Sequence, residues 1–163
     1  MTKFLLSVHV LAAILAVGPI TVAASMFPRY VRPAKATKGG PVAAEETPDE
    51  KARTAALLHR ICRAYALVGV VVPVFGFATG AQLGVLTDPW LLISIVLTAA
   101  AAGLLLFAIL PGQERLLPET DTPTTEARRA GAARLAMLTG IFNLLWATVT
   151  VLMIVRPGST TGA

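Results

Sequence analysis

Four long apolar runs organise this chain, and charge is confined to the segments between and beside them. They are Phe4–Ser25, Tyr65–Val85, Trp90–Leu110 and the stretch from just after Arg134 to Val155. The second is 21 residues without a charge. At roughly 1.5 Å of rise per residue, a helix of that length reaches across a ~30 Å hydrocarbon core. The pattern predicts an all-α polytopic membrane protein: one domain over residues 1–163, with four transmembrane helices arranged as two tandem hairpins. The expected helices cover about 4–26, 48–86, 90–110 and 123–155, with loops at 27–47 and 111–122.

Local signals place the boundaries. Gly18-Pro19 is expected to bend the first helix, and Met26-Phe27-Pro28-Arg29 to end it. Val22-Ala23-Ala24 resembles a signal-peptide cleavage site, but the basic head is Lys3 alone and the apolar part exceeds a usual signal core. The run is therefore assigned as a transmembrane helix. Thr47-Pro48-Asp49-Glu50 has the form of a capping box with proline in the first turn. The second helix accordingly starts in water, with an overhang over 48–63, and enters the membrane near Ala64. Pro73 removes a backbone hydrogen bond and is expected to kink it. Leu86-Thr87-Asp88-Pro89 reads as a tight turn, and Trp90 as an interfacial anchor.

Small residues recur at helical spacing. Gly76, Gly80 and Gly84 repeat every four residues, Ala99 to Gly103 is an unbroken small run, and Ala132, Ala136 and Gly140 form a third row. In lipid such rows let helices approach closely, so that dispersion contacts supply what hydrophobic burial supplies in water. They are the expected packing faces.

Composition supports the membrane assignment. The 163 residues are 55% hydrophobic and 14% charged, against about a quarter charged in soluble domains. The net charge of +5 lies beside the apolar runs with no aromatic-basic strip, so nucleic acid is not an expected partner. Twelve of the 14 Lys and Arg residues fall between Arg29 and Arg63 or between Arg115 and Arg134. By the positive-inside bias, the two long loops are expected in the cytoplasm of a bacterial cell, with both termini outside its plasma membrane. Thr47-Pro48, Ala52-Arg53 and Ala55 recur 75 residues later as Thr122-Pro123, Ala127-Arg128 and Ala130. The recurrence fits either a tandem hairpin or two independently similar helix starts.

Candidate chemistry is sparse. There is no phosphate loop and no nucleophile elbow, and the single cysteine, Cys62, excludes an intrachain disulfide. His9 lies within the first run, either as a functional group or as a neutral side chain bonded to a carbonyl or a neighbouring subunit. His59 is expected at the opposite end of the bundle, too far from His9 to share a metal or haem. All nine acidic residues fall in loops, turns or overhangs, which argues against a proton-coupled exporter. Asn143 and Gln82 are expected to hydrogen-bond across to other helices, and Cys62 to act as a small buried hydrophobe. Arg60, Arg63 and Arg134 either bind anionic lipid head groups such as cardiolipin or serve as orientation signals.

The residues His9-Val10-Leu11-Ala12-Ala13, Gly18-Pro19 and Val22-Ala23, with the hairpin beginning at Thr47, resemble a family of small, largely uncharacterised bacterial four-helix membrane proteins. In size, topology and Ala/Arg-rich style the chain is also similar to an accessory subunit of the actinobacterial cytochrome bcc–aa3 respiratory supercomplex. That second resemblance implies a subunit without a redox centre or cofactor of its own, packed at the edge of a cytochrome complex. Neither resemblance assigns a functional residue. The expectation is a non-catalytic accessory subunit, with a small permease using the Gly- and Pro-broken helices as the alternative. A membrane enzyme with His9 as its base is a third possibility, for which no partner residue is found.

Overall fold

The computed structural model describes residues 2–33, 47–117 and 124–158. The described residues are all-helical: α1 is Thr2–Val31, α2 Pro48–Gly69, α3 Val71–Leu83, α4 Pro89–Leu104, α5 Leu110–Glu114 and α6 Thr125–Val155. A single π turn, Leu105–Ile109, joins α4 to α5. Four continuous segments, Lys3–Val31, Pro48–Leu83, Pro89–Glu114 and Thr125–Val155, are long and apolar enough to cross a membrane. The surface agrees: Phe107, Ile154 and Leu67 are three-quarters or more exposed. Such side chains cost nothing against lipid tails, whereas water would penalise them. This is a multi-pass membrane protein.

Prolines shape every span except the last. Pro19 and Pro28 both lie inside α1, so the helix runs five residues past its expected end at 26. Pro28 and Val31 are buried there, and packing against α2 outweighs the lost hydrogen bond. Pro73 has no N–H for the Gly69 carbonyl, and the second span breaks at that point, with Val70 N–H turning instead to Leu67 O at 3.2 Å. The span expected as one helix over 48–86 is therefore two, α2 and α3, and it stops at Leu83. Pro111 was expected in a loop but sits within α5. The π turn just before it, closed by Leu110 N–H to Leu105 O, shifts the hydrogen-bond register and lets the third span continue to Glu114.

Helix starts are chemically explicit. Thr47 closes the capping box on α2: its hydroxyl accepts from Glu50 N–H, and the Glu50 carboxylate accepts from Thr47 N–H at 2.7 Å. Glu50 is fully exposed, and these bonds hold its carboxyl below the usual range, Thr47 N–H contributing most. The start expected at Thr122-Pro123 lies outside the described residues, and α6 is capped by Thr124. The sequence repeat does not carry structural equivalence: Ala55 is buried, its counterpart Ala130 is exposed, and the second cap falls two residues later.

Consecutive spans run antiparallel, placing the start of α1, the end of α6 and the 84–88 turn at one end, here the terminal end, and the ends of α1 and α5 with the starts of α2 and α6 at the other, the loop end. The main core lies at the loop end. Phe27 of α1, Cys62 of α2, Ile109 of the π turn and Phe142 of α6 are all essentially inaccessible there. Ala23 and Ala24, of the expected cleavage-site run, belong to the same core. α6 contributes Ala132, Leu135 and Phe142 to it, and with Thr139 these buried positions follow a three-, four- and three-residue spacing.

Candidate functional site

At the terminal end the bundle opens. α1 pairs with α3 and α4 pairs with α6, while α3 and α4 touch little beyond their turn. Among these helices lies a cavity of about 1070 Å3, only partly enclosed, since Phe77 and Ile154 of its lining are more than half exposed. Its walls are almost wholly apolar, with Val17 and Ala99 among them, and its polar exceptions include His9, Thr79 and Arg156.

His9 is seated by its neighbours. It is buried, and its Nδ1 lies 3.0 Å from the Val72 carbonyl, which can only accept. Nδ1 is therefore the donor in this bond. Gly76 lies one turn along α3, where a Cβ would stand 2.8 Å from His9 Cε1. Glycine at 76 thus makes room for the imidazole. Gly80 is packed by Leu86 and Leu91. Gly84 departs from the expected row: it takes a left-handed φ of 70° and ends α3, with Val85 N–H bonding Gly80 O. Only glycine adopts that backbone at no steric cost.

Arg156 and Trp90 form one rim of the cavity. Trp90 Nε1–H donates to Asp88 Oδ2 at 3.0 Å, and the Arg156 guanidinium lies 5.7 Å from the Trp90 ring centroid. Arg156 Nε–H donates to the Met153 carbonyl.

A second polar cluster lies in the loop-end core. Gln113 is fully buried; its Nε2–H donates to Cys62 Sγ at 3.6 Å, and its Oε1 accepts from His59 Nδ1–H at 3.1 Å. Cys62 in turn points its thiol at the Ile20 carbonyl. Sequence reasoning missed Gln113 because Pro111 was read as a helix end. The signal that could have found it is the spacing of His59 and Cys62, which puts both on one face of α2 toward whatever packs there. His9 and His59 sit at opposite ends of the bundle, and among the described residues no group of three or more His, Cys, Asp or Glu is placed to hold a metal.

The other predicted positions divide. Asn143 Nδ2–H donates to Ser25 on α1 at 3.3 Å, while its buried Oδ1 has no partner. Thr139 Oγ1 and Trp146 Nε1 on the same helix are likewise buried without partners. Gln82 is exposed. Ala99, Ala136 and Gly140 are exposed and Gly103 half-buried, so these small residues do not form the contacts inside the bundle. A Cβ at Gly140 would meet nothing, and at Gly103 only its own helix's Phe107. The close approaches use other glycines: Gly112 faces Leu135 and Gly131 faces Leu116. Arg60, Arg63 and Arg134 are exposed.

Comparison with known protein families, with curated proteins and with solved structures finds no match.

Proposed function

We propose that the chain is a non-catalytic accessory subunit of a larger membrane complex, contributing helix–helix and lipid contacts. The observation that carries this reading is the outward placement of its small-residue faces. Ala100 on α4, and Ala136 and Gly140 on α6, are exposed on the outside of the bundle, whereas Ala99 lines the cavity. Against lipid alone a large side chain serves as well, whereas a partner helix gains dispersion contact only where the surface is small. A respiratory cytochrome complex is the proposed partner, on the resemblance in size, topology and composition given above. The proposed setting is a bacterial plasma membrane with both longer connections cytoplasmic. There the exposed Arg60, Arg63 and Arg134 would meet anionic head groups such as cardiolipin.

Purification in mild detergent tests the reading: haem-bearing subunits should co-purify, and Ala136→Ile with Gly140→Ile should release them without unfolding the bundle. Recovery only as a lone monomer or homodimer counts against it. For orientation, in a Cys62→Ala background, Thr87→Cys should react with an impermeant maleimide from outside the cell and Arg53→Cys should not.

One observation favours a second reading, a small permease. The cavity is lined by Gly18, beside Pro19 of the continuous α1, and by Val72-Pro73 beside the α2–α3 break, so the one interrupted span borders it. Uptake by the reconstituted protein that is lost in His9→Ala would support this reading over the first.

A further inference from the structure

The cavity at the terminal end has a chemistry of its own. At about 1070 Å3 it lies at the upper end of the ~300–1,000 Å3 typical of small-molecule sites. Along α6 its lining runs from Trp146 to Arg156, ten residues or roughly 15 Å of helix. Water in so apolar a space would lack partners, and a void would leave the walls without dispersion contacts. A flexible hydrocarbon chain satisfies both requirements.

The rim supplies the second half of the argument. Arg156 is half-buried and holds its guanidinium against Trp90, yet it forms no ion pair with any described residue. The nearby carboxylate, Asp88, instead accepts from Trp90 Nε1. Arg156 therefore stands, without a direct ion-pair partner among the described residues, where the apolar wall meets the terminal end of the bundle. Deeper in the wall, the His9 ring is tied through Nδ1 to the Val72 carbonyl.

We propose that this cavity binds an acyl chain bearing an anionic head group, the head on Arg156 and the chain running past His9 and Gly76 toward Trp146. A free fatty acid and an anionic phospholipid with one chain inserted share this chemistry. The inference goes beyond the accessory-subunit reading and does not depend on a protein partner.

The two tryptophans of the chain, Trp90 and Trp146, both line the cavity, one at its rim and one at its floor. Contact quenching by a brominated chain therefore reports occupancy and depth. The full-length protein in maltoside detergent, carrying Trp90→Phe so that Trp146 alone reports, is titrated with dibrominated stearate. Saturable quenching is expected, reversed by plain stearate or by phosphatidylglycerol but not by stearyl alcohol or phosphatidylcholine. Reversal by stearate alone assigns the carboxylate source; reversal by phosphatidylglycerol alone assigns the phospholipid. Arg156→Gln should weaken the apparent affinity about five- to ten-fold, and Arg156→Lys should largely restore it. Ala102→Phe, which fills the shaft, should abolish quenching while the helical circular dichroism is retained.

Two results would overturn the proposal. One is quenching that rises linearly without saturation, as for detergent partitioning. The other is displacement by stearyl alcohol as effective as by stearate, together with unchanged binding in Arg156→Gln.

Discussion

Gly76 offers the sharpest test of how α1 seats on α3. A Cβ at this position would lie 2.8 Å from His9 Cε1 and 3.2 Å from Nδ1. Carbon atoms pack at about 3.5–4.0 Å, so Gly76→Ala must push the imidazole away from α3 by roughly 0.7 Å or more. The acceptor of the His9 bond, Val72 O, is on that same helix, at 3.0 Å. A displacement of this size takes the bond out of useful range. The expected cost is about 0.6 kcal/mol for the interhelical bond plus about 1–3 kcal/mol for overpacking, so about 2–4 kcal/mol in all.

The assay is equilibrium unfolding in mixed micelles of maltoside and dodecyl sulfate, followed by circular dichroism, across a double-mutant cycle with His9→Ala. Removing the imidazole removes the obstacle, so in the His9→Ala background Gly76→Ala should be neutral or mildly stabilising, because alanine is the better helix former. The cycle should thus return a coupling of about 2 kcal/mol. Gly140→Ala is the internal control: with no atom within 4 Å of its Cβ, it should cost nothing in either background. Effects of Gly76→Ala and His9→Ala that add within about 0.5 kcal/mol would refute the reasoning.

Three further outcomes follow from the same geometry. Gln113→Leu leaves His59 Nδ1 and Cys62 without their partner, and should destabilise the bundle by about 1–3 kcal/mol and speed maleimide labelling of Cys62, which is inaccessible in the folded protein. Asn143→Leu gives up one 3.3 Å bond but also removes a buried oxygen that has no partner, so the same unfolding assay should change by less than about 1 kcal/mol. Glu50 has its carboxyl pKa depressed below 4.5, so its contribution to the α2 cap is complete above that value and is lost as pH falls through the lower folded-state pKa. Amide exchange at Glu50 and Lys51, corrected for intrinsic rates, should show protection lost over that acidic window, and Glu50→Gln, which does not titrate, should remove the pH dependence.

What could be read from the chain, and what could not, follows from how lipid-embedded helices are encoded. The four spans, the Thr47 cap and the break caused by Pro73 are local in origin: they need only charge-free length, a capping pattern and a missing N–H. Helix ends near proline were misread at Pro28 and Pro111. Proline stops a helix only when nothing compensates, and here a buried face at Val31 and a π turn at Leu105–Ile109 do so. Rotational position was the least legible property. In a helix that is apolar all round, no stripe distinguishes the lipid side from the packed side. Gly140 and Gly112 look alike in sequence, yet one faces open space and the other lies against Leu135. The pairing of His9 with Gly76 and of Gln113 with Cys62 depends on the relative rotation of two spans, which one sequence does not contain.

The two ends of the bundle are therefore unequal for a physical reason. At the loop end, Phe27, Ile109 and Phe142 fill the space between spans, and Gln113 ties α5 to α2 through His59 and Cys62. At the terminal end, the break at Gly69–Val70 turns the second span into α3, whose small residues Gly76 and Gly80 receive His9, Leu86 and Leu91. That arrangement holds α3 against α1 and leaves it few contacts with α4. The scarcity of contact between α3 and α4, while α1 still packs on α6, is what opens the cavity, and Arg156 and Trp90 meet at its rim because α6 ends where α4 begins. A rigid half and an open half in one four-span bundle is the arrangement that a chain-binding site requires.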